Sequence, residues 1–444
     1  MKIELPKKVS NIIQTLERAG YGAFAVGGCI RDSILGRKPQ DWDITTSAKP
    51  QEVKRLFSHT INTGIQHGTV TVMLGHEGYE VTTYRIDGEY EDARHPKEVI
   101  YTGDLFADLK RRDFTINAMA YNEKQGLVDA FDGIEDLKRK MIRCVGKATD
   151  RFSEDALRML RALRFAAQLG FEVEESTFEA IKELAPTIQK ISVERIQAEL
   201  VKLLLSDHPQ FLREVYESGI AQEVLPEFAK LMETEQNHPH HCYSVGEHTI
   251  RVVQNVPKER VLRLAALFHD IAKPICQISD EQGVDHFHGH PKKGAIMAHE
   301  IFRRLKFDVD TMQKVCKLIE WHDDNPPLEP SAVRRAIHRA GEENYPNIFL
   351  LKRADILAQS DYKKEEKLQY IDDYEKVYKE ILKEKNCISL KDLAVNGKDL
   401  ISLGVKPGKE IGEILNGLLE MVLDEPSKNQ KEYLLGIVKE QWLL

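Results

Sequence analysis

Gly27-Gly28-Cys29-Ile30-Arg31-Asp32, followed nine residues later by Asp41-Trp42-Asp43-Ile44, is the stretch on which the fold turns. The apolar run Ala23 to Val26 before it reads as a short buried strand, the glycines as a tight turn, and Arg31 to Leu35 as the first turns of a helix whose backbone N–H groups can face a triphosphate. Asp41 and Asp43 sit two apart beside Ile44 and Thr45, so in a strand of period two both carboxylates project from one face. There they can share a pair of Mg²⁺ ions. Two metals about 4 Å apart activate an attacking hydroxyl and hold a leaving pyrophosphate, which points to metal-assisted phosphoryl transfer.

Outward from this strand, residues 1–136 alternate strand-like and helix-like segments: a helix from Pro50 to Phe57, strands at Thr69 to Leu74 and Tyr79 to Arg85, a polar loop from Asp87 to Pro96, and a short helix near Phe114. That order predicts an α+β head. Glu80 shares a strand face with Thr82 and Tyr84, and reads either as a third metal-associated carboxylate or as one end of a strand-edge salt bridge. Arg111-Arg112-Asp113-Phe114-Thr115-Ile116-Asn117 places Asp113 and Asn117 one helical turn apart, within reach of sugar hydroxyls, with arginines for phosphate charge. A capped helix start with surface arginines would look the same.

From 137 onward strand signals fade, so the fold class is multidomain and mostly α. Ser153-Glu154-Asp155-Ala156-Leu157 reads as one strong helix capped by Ser153, with Leu157, Leu160 and Leu163 as its apolar stripe. Asp155 and Arg158, at i and i+3, lie on one face, where they form either a base-reading donor and acceptor array or an intrahelical salt bridge. Helical periodicity continues over 176–187, 192–206 and 209–218. A helical neck is expected over 137–235, a histidine-rich helical segment over 236–360, and a Lys/Glu-rich helical tail over 361–444, broken at Gly404 and Pro407-Gly408.

Composition narrows the classes. A chain of 444 residues with 42% hydrophobic content has ample core for several domains. The mean hydropathy of -0.41 and the lack of any apolar run near twenty residues leave no membrane span, and the N-terminus shows no apolar signal core, so a cytoplasmic location is expected. Six cysteines without a Cys-x-x-Cys pair suit reduced thiols. The net charge of -8 argues against indiscriminate nucleic-acid binding. Between Leu137 and Arg164, however, nine Lys or Arg stand against three acids, either a solvated helical face or a phosphate track.

The string Gly-Gly-x-x-Arg-Asp-x-x-Leu-Gly followed by Asp-x-Asp-Ile resembles the signature of the class II nucleotidyltransferases, the tRNA CCA-adding enzymes and bacterial poly(A) polymerases. The resemblance implies that Asp41, Asp43 and Glu80 are catalytic, the first two binding Mg²⁺. It also implies a nucleotide-binding set of Gly27, Gly28, Arg31, Arg111, Arg112, Asp113, Asn117, Asp155, Arg158 and Arg161, in which Asp155 and Arg158 select CTP or ATP by imitating base pairing. Ser192-Val193-Glu194-Arg195 resembles the family's supporting motif, and Asp129 to Leu137 its hinge, with Gly133 permitting movement. Arg85 to Pro96 resembles the loop that shifts CCA- and A-adding enzymes from C to A. The tail around Asp399 to Gly404 and Gly408 to Leu415 is similar to the domain that grips the tRNA elbow.

Tyr243-Ser244-Val245-Gly246-Glu247-His248 and Phe268-His269-Asp270-Ile271-Ala272-Lys273-Pro274 look like the HD phosphohydrolase superfamily, inserted after the neck. That resemblance implies a divalent metal, Mn²⁺, Ni²⁺, Fe²⁺ or Mg²⁺, on His248, His269, Asp270 and Asp355. His290 and His322 would be the extra pair of binuclear members, and Lys273 would lie near substrate phosphate. The expected partners are tRNA, CTP and ATP, with no membrane. An A-adding enzyme or poly(A) polymerase, an HD phosphohydrolase whose head only binds RNA, and a tRNA-binding chaperone remain as alternatives. Oligomeric state is not legible.

Overall fold

Short apolar runs too brief for helices build the head. Along the chain come α1 (Lys7–Arg18), β1 (Ala23–Val26), α2 (Gly28–Ile34), β2 (Ile44–Thr46), α3 (Pro50–Leu56), β3 (Thr60–Gly64), β4 (Thr69–Leu74) and β5 (Glu77–Thr83). A short antiparallel pair follows, β6 (Arg85–Asp87) and β7 (Val99–Tyr101), then α4 (Leu105–Lys110), a 3₁₀ turn at Thr115–Asn117, β8 (Met119–Asn122), β9 (Gly126–Asp129) and α5 (Gly133–Arg139). The computed structural model describes residues 2–87 and 99–442, which divide into two units between Ala229 and Lys230.

Seven strands form one mixed sheet in the order β3-β4-β5-β2-β1-β8-β9, with only β2 and β5 parallel. β1 is buried at all four residues because it lies inside the sheet. α1 turns Val9, Ile12, Ile13 and Leu16, one helical stripe, into the core. Asp41 and Asp43 are not in a strand: β2 begins at Ile44, and they form its extended approach, with Val26 N–H donating to Asp43 O at 3.0 Å. The ladder therefore reaches Asp43 although the regular strand does not.

The rest of this unit is helical, apart from a two-residue parallel pair, β10 (Met141–Ile142) and β11 (Glu172–Val173). Its helices are α6 (Ala148–Glu154), α7 (Leu157–Leu169), α8 (Glu175–Leu184), α9 (Val193–Leu204), α10 (Leu212–Glu217), α11 (Ile220–Val224) and α12 (Pro226–Met232). The single helix expected from Ser153 is broken. Asp155 is extended, with φ -146° and ψ 102°, and its carboxylate accepts from Leu157 N at 3.1 Å, so Asp155 rather than Ser153 supports the start of α7. Ser153 instead closes α6, donating to Thr149 O at 2.7 Å.

Gly133 also differs from expectation. An added Cβ there would meet Thr115 O at 2.5 Å, so the position is glycine because α5 presses on the 3₁₀ turn. Close approach, not freedom, explains it. Asp129 fixes the same corner by accepting from the N–H groups of Gly133 and Ile134, both at 2.8 Å.

The second unit carries α13 (Val245–Asn255), α14 (Arg260–Phe268), α15 (Lys273–Cys276), α16 (His290–Arg304), α17 (Val309–Trp321), α18 (Pro330–Ala340), α19 (Tyr345–Ala358), α20 (Lys364–Lys383), α21 (Gly397–Ser402), α22 (Lys409–Asp424) and α23 (Lys431–Trp442). α13 packs on α14 and α19, and α16 on α17. The tail has its own core of Leu400, Ile414, Leu418, Val422, Leu434 and Val438. Buried Arg334 of α18 donates to Leu423 O at 2.7 Å and Asp424 O at 3.0 Å, satisfying carbonyls at the end of α22. Among the described residues no helix is long and apolar enough to cross a membrane.

Candidate active sites

In the head, the parallel register that sets Ile44 beside Val81 aligns Asp43, just before β2, with Glu80 in the middle of β5. Partial desolvation by the surrounding protein raises the Asp43 carboxyl above its usual range although the residue reaches the surface; Arg112 opposes that, and Glu80 and Asp41 add to it. The three acids therefore share one field, and they lie on the exposed side of the sheet. Gly27, at φ 85°, makes the turn from β1 into α2, and its N–H donates to Met119 O at 3.1 Å. A Cβ on Gly27 would lie 3.0 Å from Arg112 Nη1, so the guanidinium sits directly over the turn. Among the described residues, Arg112 Nε is buried with no hydrogen-bond partner, and the one carboxylate within salt-bridge distance of the group, Asp108, is 3.8 Å from Nη2. An uncommitted donor of this kind fits an anion.

Around it lies a buried polar network. Asp113 accepts from Arg161 Nε at 2.9 Å and Nη2 at 2.7 Å, Asn117 Nδ2 reaches Asp113 Oδ1 at 3.3 Å, and Arg31 Nη1 donates to Asn117 Oδ1 at 2.8 Å. Burial alone would raise the Asp113 carboxyl, but Arg161, then Arg158 and the Phe114 N–H, bring it down to about 2. Arg31 is further held by Asp32 at 2.9 Å. Cys29, whose thiol burial and Asp43 push up to about 12, is no nucleophile.

Asp155 and Arg158 are brought to one place but do not pair with each other through their side chains. Asp155 accepts from Arg195 Nη2 at 2.7 Å, and Arg158 donates to Glu154 at 2.6 Å and to Arg111 O at 3.2 Å. The intrahelical salt bridge is thereby corrected to two separate ion pairs on either side of the break. Most of the basic stripe is likewise spoken for: Arg139 pairs with Glu135, Arg143 with Asp136, Arg151 with Glu154 and Arg164 with Glu199, so the excess counted along the sequence is largely balanced in space.

In the second unit His248, His269 and Asp270 offer ligand atoms within 4.8 Å of one another, as do Asp270, His290 and His322. Nε2 lies 3.2 Å from Asp270 in both His269 and His290, and His248 Nε2 is 2.9 Å from Asp355. The opposite nitrogen settles the tautomer. Nδ1 of His269, His290 and His322 each donates to a carbonyl, of Ala266, Phe287 and Ile319, at 2.8 Å, and that of His248 to Ala358 O at 3.4 Å. A carbonyl can only accept, so in the neutral form of each imidazole Nε2 carries the lone pair and is available as a ligand. His248 Nε2, His269 Nε2 and Asp270 Oδ2 are buried and, despite these short ionic contacts, make no well-aligned hydrogen bond among the described residues. Lone pairs at this spacing repel unless a cation lies among them, and the donor set suits a divalent transition metal.

Three family models match in succession: the Poly A polymerase head domain over residues 23–143, the RNA and SrmB binding site of polymerase A over 170–232, and tRNA nucleotidyltransferase domain 2 over 293–438. The CCA-adding enzyme of Lactobacillus helveticus is 37% identical over 434 residues, covering 96% of this chain and 94% of the relative. That of Enterococcus faecalis is 35% identical over 444 residues, covering 98% and 96%. The chain belongs to the CCA-adding enzyme family. Its fold matches the crystal structure of the Bacillus stearothermophilus CCA-adding enzyme in complex with CTP, with a TM-score of 0.74 at 29% identity and 99% coverage of both chains.

As a CCA-adding enzyme family member, the chain has functional candidates that its sequence motifs do not flag. Asp108 is fully buried, accepts from Thr45 Oγ1 and Arg111 Nε, both at 3.0 Å, and so anchors the Arg111-Arg112 pair from below. Only its place four residues before Arg112 on a helical pattern hints at this. Gln359 donates to both Asp355 oxygens at 3.2 Å. Residues 88–96 of the loop read as the C-to-A switch lie outside the described residues.

Proposed function

We propose that this protein adds C, C and A to the 3′ end of tRNA, using CTP and ATP without a nucleic-acid template. The observation that carries the reading is Arg112, a half-buried guanidinium over the Gly27 turn and in the field of Asp43, whose buried Nε has no hydrogen-bond partner among the described residues. Asp41 and Asp43 hold Mg²⁺, with Glu80 beside them, and bound Mg²⁺ supplies Lewis-acid stabilisation of the reacting phosphate. Gly27, Gly28 and Arg112 receive the triphosphate. Arg161 and Arg31 fix Asp113 and Asn117 for the ribose, and Arg111 stands over Asp108.

Asp155 is an acceptor and Arg158 a donor. Cytosine and adenine carry an exocyclic amine where uracil and guanine carry a carbonyl, so a carboxylate facing that position accepts the first two and repels the others. The working segments are a head over 1–136, a neck over 137–235, an HD module over 236–360 and a tRNA-binding tail over 361–444. A direct test supplies purified protein with tRNA lacking CCA, or ending in CC, and each labelled triphosphate in turn. CTP should enter the first and ATP the second, with UTP and GTP in neither. Incorporation of ATP alone, in runs, would replace this reading with a poly(A) polymerase.

The histidine cluster supports a second activity, metal-dependent phosphoester hydrolysis, with 2′,3′-cyclic phosphate ends as substrate. The carbonyl-locked Nδ1 groups favour it, since they fix four imidazoles as ligands around Asp270. Asp355 completes the set, and Lys273, 2.7 Å from Asp270, stands where substrate phosphate would enter.

A further inference from the structure

Two cavities of about 290 and 570 Å³ open at the histidine cluster, and they share His238, His241, His322, Asp323, Asp355 and Gln359. The smaller contains Asp270 and Lys273; the larger runs from Asp355 past Lys352 and Lys367 to Tyr370. A volume of this size is typical of a site for a small organic ligand. Its cations are unusual in their partners. Lys352 is only 5% exposed, yet its ammonium donates to a neutral group, Asn325 Oδ1 at 2.9 Å. Lys367 donates to Gln359 Oε1 at 2.5 Å and to His240 Nδ1 at 2.7 Å, both neutral acceptors. Among the described residues neither lysine has a carboxylate within salt-bridge distance, whereas Lys363 and Lys364 beside them pair with Glu366 and Asp361.

Sequestering an ammonium from water without a counter-charge is unfavourable. Asp323, Asp324 and Asp355 favour the charged form of Lys352 from further off, but burial outweighs them and pushes it down to about 8. A ligand anion would supply what the chain withholds. Tyr370, whose hydroxyl is fixed on Pro326 O at 2.5 Å, adds a rigid ring to the same wall.

We infer that the larger cavity is a second anion subsite, and that the substrate of the cluster is a nucleotide-like phosphoester bearing a further phosphate, which Lys352 and Lys367 hold while the scissile ester lies at Asp270. This rests on the phosphohydrolase reading above and narrows its substrate. The reaction consumes one water: its oxygen bonds to phosphorus, the ester P–O bond breaks, and a proton passes to the departing alkoxide, with no change of oxidation state. The second phosphate belongs either to an RNA chain, as its last internucleotide link, or to a free doubly phosphorylated nucleoside.

The test uses the full-length, metal-loaded protein with adenosine 2′,3′-cyclic phosphate, the same compound carrying a 5′-phosphate, and a short RNA ending in the cyclic phosphate. The 5′-phosphate should raise kcat/KM by about tenfold or more, mainly through KM, as a charge-assisted contact would. That ratio should collapse towards one in K352Q and K367Q. A further gain on the RNA assigns the second phosphate to a chain end; no gain assigns it to a free nucleotide. A wild type with no preference, or variants that retain it, overturns the subsite. Where none of the three is hydrolysed, the phosphohydrolase reading fails. Equilibrium binding of the 5′-phosphorylated compound then decides the subsite, which stands if the K352Q/K367Q double variant loses binding and falls if it does not.

Discussion

In the head, Asp41, Asp43 and Glu80 stand on the exposed side of the sheet, while Asp108 and Asp113 behind them are buried and fully engaged. In the second unit the order is reversed: His248, His269, Asp270, His290 and His322 are themselves buried, at 8% exposure or less, and each imidazole is pinned through its far nitrogen. Exposed acids of like charge have no reason to converge until a cation reaches them. Buried imidazoles locked by carbonyls keep their spacing without one, because the cost of desolvation was met when the protein folded. On the proposed reading, the head would gather its metals together with the nucleotide, and the cluster would retain its own.

The sharpest break of this comparison is a reciprocal pair of variants. Asp43→Ala should lower nucleotide addition by about a hundredfold or more, the scale of losing a group that stabilises transition-state charge, and leave metal content untouched. His269→Ala should strip most of the metal, by element analysis, and leave addition intact. Any cross-effect would mean that the two sites are not independent. The next largest effect concerns stability. Arg164 and Glu199, 2.7 Å apart and nearly fully buried, leave an uncompensated charge if either is removed. Glu199→Ala should cost roughly 3–5 kcal/mol in denaturant unfolding, against less than about 1 kcal/mol for Glu135→Ala in the exposed pair with Arg139.

Within the head, Arg158→Ala should relax selection of CTP and ATP over UTP and GTP by roughly ten- to a hundredfold, since a hydrogen bond to a charged group is worth about 1.5–3 kcal/mol. Competition among labelled triphosphates measures it, and unchanged selectivity would return Arg158 to a purely structural role. The smallest effect is a pH dependence. Asp113 is held at about 2 in the folded protein, below the ordinary value of 3.8, so its stabilisation is present above pH 4 and lost as pH falls towards 2. Wild type should lose about 2 kcal/mol more than Asp113→Asn across that window, by denaturant titration at each pH.

The strand, turn and acids of the head were legible because their signals are local: apolar runs of strand length, glycines at a turn, and Asp41 and Asp43 at fixed spacing. That His248, His269 and Asp270 would come together was legible by motif. What locks the histidines was not, since carbonyls of Ala266 or Ile319 leave no mark in the residue type. The break at Asp155 escaped for a similar reason. Residues 148–169 all suit a helix, and the side chain that draws Asp155 aside belongs to Arg195, forty residues away. Asp108 looks like any helical acid until Thr45, from β2, is placed against it.

That break has a consequence for accuracy. On an unbroken helix, the distance between residues three apart is set by helical rise and hardly varies. Asp155 and Arg158 instead stand on two sides of a corner, so if they read the base as proposed, the gauge is an angle, and angles can be adjusted. Arg195, gripping Asp155 from α9, acts as the bracket that sets it. On that proposal, fidelity would be adjustable from a residue that never needs to touch the base.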